Sequence, residues 1–210
     1  MQPLLVTGFG PFPHVRINPT AILAREVARK LRQRGVKAQH LVLETSYGGG
    51  LPALAAAIEK ERPRAMLMLG LAGRARCLRV EMLARRSPSP LHVDATGKLP
   101  KPALSDASIQ SALPLRSTAN TQGALAILRA KGLRAQLSPS AGRYLCNAAY
   151  ALALAHPALR DVPVLFVHVP WLRPLSGARR KGAVNDWRPG FAPLAVALTE
   201  LASVLKRHGA

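Results

Sequence analysis

A chain of 210 residues, 49% of them apolar, can bury the core of one domain and is too apolar to remain disordered. No apolar run approaches the roughly 20 residues of a membrane span, and the opening residues lack the basic start and long apolar stretch of a secretory signal. The 30 lysines and arginines outnumber the 10 acidic residues, for a formal charge of +20, which favours polyanions through counterion release.

Residues 4–9 read as a short buried strand ended by Gly8, Gly10 and Pro11. Asn18-Pro19-Thr20 has the form of an N-cap followed by proline at the first helical position. The helix it opens is predicted to bury Ile22, Leu23, Val27 and Leu31 and to stop at Gly35. A second strand at residues 36–43 leads to the Gly48-Gly49-Gly50 turn and a helix through Leu54, Ala57 and Ile58. Residues 65–69 are continuously apolar, as in a strand covered on both faces. Residues 78–84 are another candidate strand, interrupted by Glu81. Residues 87–120, rich in Pro, Ser, Thr and Asp, are predicted to form long connections with short irregular elements. Helix is predicted at 122–129 and 146–155, and strand at 133–137 and 162–169. After Pro189-Gly190 a last helix carries the stripe Phe191, Leu194, Leu198, Leu201 and Leu205. This alternation predicts an α/β fold: a single-domain α/β/α sandwich over residues 1–210, on a mostly parallel, mixed central sheet.

The basic clusters are short (Arg29-Lys30, Arg85-Arg86, Arg179-Arg180-Lys181), and no zinc-finger, basic-zipper or RNA-binding signature accompanies them. A solvated basic surface is the plainer reading, and specific nucleic-acid binding is not expected. The two cysteines, Cys77 and Cys146, lie far apart and suit a reducing cytoplasm. Neither they nor the six histidines show a metal-ligand spacing, and neither glycine turn completes a nucleotide fingerprint, so no metal and no cofactor are expected.

Functional groups in open α/β sheets collect at the carboxyl ends of strands. That places the Gly8–Gly10 and Gly70–Arg74 turns, Cys146 and His168 together. Cys146 stands at a loop-to-helix junction, where backbone N–H groups and the helix dipole favour an anionic thiol. His168, near a strand end, has the chemistry of its base. The bland reading of each is a packed thiol and a core histidine satisfied by hydrogen bonds. Glu81, between Val80 and Met82, is a carboxylate in an apolar strand and needs a cation or a donor. Its partner could be one of many arginines or the ring of His168.

Four segments in order resemble one family, pyroglutamyl peptidase I, the cytosolic cysteine omega-peptidases. They are Val6-Thr7-Gly8-Phe9-Gly10-Pro11-Phe12 with Asn18-Pro19, then Gly70-Leu71-Ala72-Gly73 followed by Glu81, then Ser140 through Asn147, and Phe166 through Pro170. The resemblance implies that Cys146 is the nucleophile, His168 its base and acid, and Glu81 the group orienting His168. It implies a peptide substrate with an N-terminal pyroglutamyl residue, cleaved through a thioacyl-enzyme. Phe9, Phe12, Tyr144 and Leu145 match positions that form an apolar slot for the lactam, with Asn18 and Thr45 as further candidates. Leu71 stands where many bacterial members place a glutamine that can help bind the lactam. The chain also has Glu81-Met82 in place of Glu-Arg, Ala148-Ala149 after Cys-Asn, and Pro170-Trp171-Leu172-Arg173-Pro174 in place of a Pro-Tyr-Leu-Pro-Glu run. A homotetramer is implied by the same resemblance.

Two alternatives stand beside this reading. One is a hydrolase of another N-blocked or cyclic amide with the same triad, suggested by Leu71. The other is a noncatalytic polyanion-binding protein on this scaffold. Arg173, Arg179, Arg180 and Lys181, beside the histidine motif, further suggest that leaving peptides with acidic residues are preferred.

Overall fold

Four of the apolar runs become parallel strands, and the helices that follow the first two carry the chain back across the sheet between them. They are β1 (Leu4–Phe9), β2 (Ala38–Leu43), β3 (Ala65–Leu71) and β8 (Val164–Val169). The computed structural model describes residues 2–13, 15–86, 93–100, 113–174 and 187–205. Its main sheet has the order β2-β1-β3-β8-β4-β7, with β4 at Leu78–Glu81 and β7 at Ala135–Ser138. Strand β4 runs antiparallel to β8, and β7 runs parallel to β4, so the sheet is mixed as expected. The reversal is a consequence of the connector: residues 72–77 are too few for the crossover that a parallel β4 would need.

Helices α1 (Pro19–Gln33), α3 (Thr121–Ala130) and α5 (Phe191–Ser203) cover one face. Helices α2 (Gly50–Glu61) and α4 (Leu145–Ala155) cover the other. Every residue of β1 and β8 is buried, as a two-sided core requires. Asn18 caps α1 by accepting the Thr20 N–H at 3.1 Å, with Pro19 in the first turn. Gly8 is demanded by this entry: a Cβ there would lie 2.2 Å from the Thr20 carbonyl oxygen, so only glycine lets α1 begin so close to β1.

Three expectations change. Ile22 is 46% exposed; the buried stripe of α1 is Leu23, Ala24, Val27, Ala28 and Leu31. At 100° per residue Ile22 falls off that stripe, and small alanines complete it. The strand expected at 78–84 divides at Met82, where the chain changes partners. Its N–H bonds Ser138 and its carbonyl accepts the Ser117 N–H, after which β5 (Leu83–Ala84) pairs with β6 (Leu115–Arg116) in a separate ladder. The strands expected from 36, 133 and 162 begin two residues later, at Ala38, Ala135 and Val164.

Candidate active site

Two strand registers and one helix start assemble the site. In the antiparallel pair, Arg79 lies opposite His168 and Glu81 opposite Phe166. Residues two apart on a strand share a face, so Glu81 and His168 are diagonal neighbours on the face covered by α4. Because β4 descends from the end of the sheet at which β8 finishes, Glu81 lies deeper than His168. Its carboxylate is 1% exposed, and Oε1 stands 2.8 Å from His168 Nδ1. That contact uses the inner ring nitrogen and leaves Nε2 for the thiol. The second carboxylate oxygen, Oε2, has no partner among the described residues, so the imidazole is its main stabilising contact.

The ring is seated by aromatic packing and by a glycine. Phe166 lies 4.8 Å from His168, centroid to centroid, and Tyr150 lies 5.4 Å from Phe166. The Tyr150 hydroxyl donates to the Glu81 carbonyl at 3.2 Å, tying α4 to the end of β4. A Cβ on Gly70, the register partner of His168 on β3, would sit 2.7 Å from Phe166 and 2.9 Å from the His168 ring. The absence of a side chain at 70 is therefore what leaves room for the imidazole.

Cys146 is the second residue of α4, whose N-cap is Tyr144. The turn before it passes through Gly142 at φ +88°, and the Ala141 N–H bonds the Leu83 carbonyl at 3.1 Å. Asn147, fully buried, fixes the helix start: Oδ1 accepts the Arg85 N–H at 2.7 Å and Nδ2 donates to the Arg85 carbonyl at 2.8 Å. The first helical bond runs from Ala148 N–H to Tyr144, so the N–H groups of residues 145–147 have no acceptor inside the helix. Cys146 lies close enough to the His168 ring to act on its proton. Burial alone would strip the ring of its proton, but the interactions with Cys146 and Glu81 outweigh it and raise its pKa to about 9. At neutral pH the ring is therefore an imidazolium held between a carboxylate and a sulfur.

Beside this relay lies a cavity of about 480 Å³. Phe9, Phe12, Asn18, Thr45, Leu71, Tyr144, Leu145 and Cys146, all singled out from the sequence, line it. Pro13, Val15, Gly73, Arg74 and Trp171 line it as well and were not individually selected; Arg74 and Trp171 follow the ends of β3 and β8, where the strand-end rule points. Asn18 and Thr45 act as framework as well as wall. Both donate to the Gly10 carbonyl, at 3.0 and 3.2 Å, closing the loop that carries Phe9 and Phe12 onto the β2 end. Tyr47 and Tyr144 meet edge to face at 6.3 Å, and the Tyr47 N–H bonds the buried Asp94 carboxylate at 2.8 Å. Burial raises the Tyr47 phenol to about 12, reinforced by Tyr144, Asp94 and Cys146, so it stays neutral.

Arg173 is not among the lining residues; its backbone N–H bonds the Pro189 carbonyl, and its partners in the basic run, 179–181, lie outside the described residues. Among the described residues no three metal-ligating side chains cluster, and no helix is long and apolar enough to cross a membrane.

A thiol, an imidazole and a carboxylate joined in series at the rim of an α/β sheet belong to the class of cysteine hydrolases. Comparison with known proteins names the branch. The family model described as pyroglutamyl peptidase matches residues 2–183. A pyrrolidone-carboxylate peptidase of Gloeobacter violaceus is 30% identical over 191 residues, covering 87% of each chain. That of Pyrococcus furiosus is 30% identical over 174 residues, covering 80% of this chain and 81% of its own. The crystal structure of the Thermus thermophilus pyrrolidone carboxyl peptidase superposes with a TM-score of 0.78 at 29% identity, over 95% of this chain and 98% of that one. The chain belongs to the pyroglutamyl peptidase family.

The Asn147 clamp yields a direct expectation. Asn147→Ala removes two part-buried hydrogen bonds to the Arg85 backbone and should destabilise the protein by about 1–3 kcal/mol. Urea unfolding measures this, and a loss below about 0.5 kcal/mol would show that the clamp does not hold the α4 start.

Proposed function

We propose that Cys146, His168 and Glu81 catalyse the removal of an N-terminal pyroglutamyl residue, the reaction to which family membership assigns this chain, within one peptidase domain over residues 1–210. The supporting observation is the series Glu81–His168–Cys146 opening onto a largely apolar cavity. Pyroglutamate has lost the free amine of other N-termini, so a salt bridge cannot recognise it. An apolar slot with a few polar groups suits its flat lactam. Phe9, Phe12, Tyr144 and Leu145 supply the walls; Asn18 keeps a second amide hydrogen beyond the one spent on Gly10.

The protonation state sets the chemistry. Sγ of Cys146 attacks the pyroglutamyl carbonyl carbon, and the C=O pair moves onto oxygen. The N–H groups at the start of α4 face that developing charge, an effect of several kcal/mol in hydrolases. As the C–N bond breaks, the imidazolium gives its proton to the leaving nitrogen, and the shortened peptide departs. The neutral ring next takes a proton from water, whose oxygen displaces sulfur and releases pyroglutamate. Glu81 holds the ring's tautomer and orientation throughout and does not change protonation.

Leu71 supports a second reading, because it gives the cavity an apolar wall in place of a family glutamine. Another cyclic or N-blocked amide would then be the better substrate, and a panel of such amides separates the two. The free thiols of Cys77 and Cys146 suit a reducing compartment, and we assign the protein to the cytoplasm; the homotetramer is carried by family resemblance.

The activity test is fluorophore release from a pyroglutamyl amide. The wild type should release it and lose the activity on thiol alkylation, and Cys146→Ala should be slower by at least about 10³-fold. Full activity in Cys146→Ala would remove the nucleophile from its role. The pH profile adds a second expectation. Since the ring holds its proton to about 9, kcat/KM should fall as pH rises through that value, where the ion-pair form and the acid for the leaving amine are lost together. Glu81→Gln withdraws a group that favours the protonated ring, so the alkaline limb should move to lower pH and the plateau should drop by about 10²- to 10⁴-fold. An unmoved limb would contradict the relay.

A further inference from the structure

The cavity has two sides of different chemistry. Its β1 and β2 side presents Phe9, Phe12, Asn18 and Thr45. Its other side is built by the segments just beyond β3 and β8, which supply Gly73, Arg74 and Trp171. Arg74 is the only formally charged side chain among the described lining residues. The turn that carries it is anchored beside the relay. Ala72 N–H bonds the Val169 carbonyl at 2.8 Å, one residue beyond His168, and Ala75 N–H closes back on Ala72 at 2.8 Å. Gly73 lies flat against the indole, since a Cβ there would be 3.1 Å from Trp171 Nε1.

Proton transfer decides which side takes which half of the substrate. The leaving nitrogen must come within hydrogen-bond reach of His168, and His168 stands on β8. The lactam therefore points to the β1 and β2 side, and the chain beyond the scissile bond runs over the turn after β3 and past Trp171.

We propose that Arg74 reads a carboxylate on the leaving part of the substrate, making this enzyme selective for an acidic residue, or a free carboxyl terminus, directly after pyroglutamate. The inference rests on the pyroglutamyl peptidase reading and specifies the half of the substrate that the lactam slot does not touch. A guanidinium presents a planar fork of donors that matches a carboxylate, and Trp171 offers an apolar flank along which the intervening chain can lie. Arg74 is exposed at the rim, so its effect on selectivity is modest and screened by salt.

The test measures kcat/KM for two matched pairs. Pyroglutamyl-Glu-Ala-amide against its Gln counterpart isolates a side-chain carboxylate; pyroglutamyl-Ala as free acid against amide isolates a terminal one. The wild type should prefer the carboxylate of at least one pair by about three- to fivefold at low salt, and which pair responds names the source. Arg74→Gln should bring that ratio to about one. Arg25→Gln, which removes an exposed charge from α1 outside the cavity, should leave it unchanged. A wild type indifferent within both pairs overturns the proposal, as does a preference that survives in Arg74→Gln or disappears only in Arg173→Gln. Hydrolysis of the neutral peptides without selectivity would remove the subsite and leave the peptidase reading intact. Failure to cleave any of the four peptides would remove both.

Discussion

The hydrogen bond between Glu81 and His168 is the constraint around which this fold is organised. A carboxylate 1% exposed, with one oxygen unpartnered among the described residues, is costly to bury unless a cation meets it. The imidazolium is that cation, and the arrangement serves both residues. The carboxylate gains its counter-charge, and the ring keeps a proton that burial alone would remove. Delivering the carboxylate beneath the ring requires a strand running against its neighbours. The short connector after β3, the reversal of β4 and the Tyr150 bond to the Glu81 carbonyl all serve that placement.

The same economy of parts governs the cavity. The loop after β1 carries Phe9 and Phe12, and a single carbonyl, that of Gly10, receives Asn18 and Thr45 and holds the loop to the α1 start and to the β2 end. On the far side of the cavity, the turn after β3 hangs from β8 one residue past the imidazole. Cavity walls and relay side chains thus share backbone supports, so a shift in β8 would disturb the His168 ring and the rim together.

Much of this was legible in the chain because it is local. The Asn18-Pro19-Thr20 cap, the continuous apolar strands and the stripe of α5 each depend on residues within a turn or two of one another. Cys146 was legible at its helix start for the same reason. The partner of Glu81 was open to the residue chemistry alone, because an arginine or His168 would satisfy it equally; resemblance to the family favoured His168, and the register places it there. The double bond from Asn147 to Arg85 spans 62 positions and leaves no local mark. Ile22 misled because the spacing of the large apolar residues alone admits it to their face, whereas the alanines at 24 and 28 complete that face on the opposite flank. The sequence marks Glu81 as the interruption of the strand at 78–84, whereas the chain divides one residue later, because hydropathy does not register a change of pairing partner at Met82.

The protonation of the His168 ring is the quantity on which the whole arrangement turns. Ring-carbon and ring-nitrogen NMR of the intact protein, with the His168 signal assigned by its loss in His168→Gln, reads that state without substrate. The ring should be doubly protonated at neutral pH and titrate near about 9. A neutral ring at pH 7, titrating at or below the ordinary histidine value of about 6.5, would contradict a charged relay between Glu81 and Cys146.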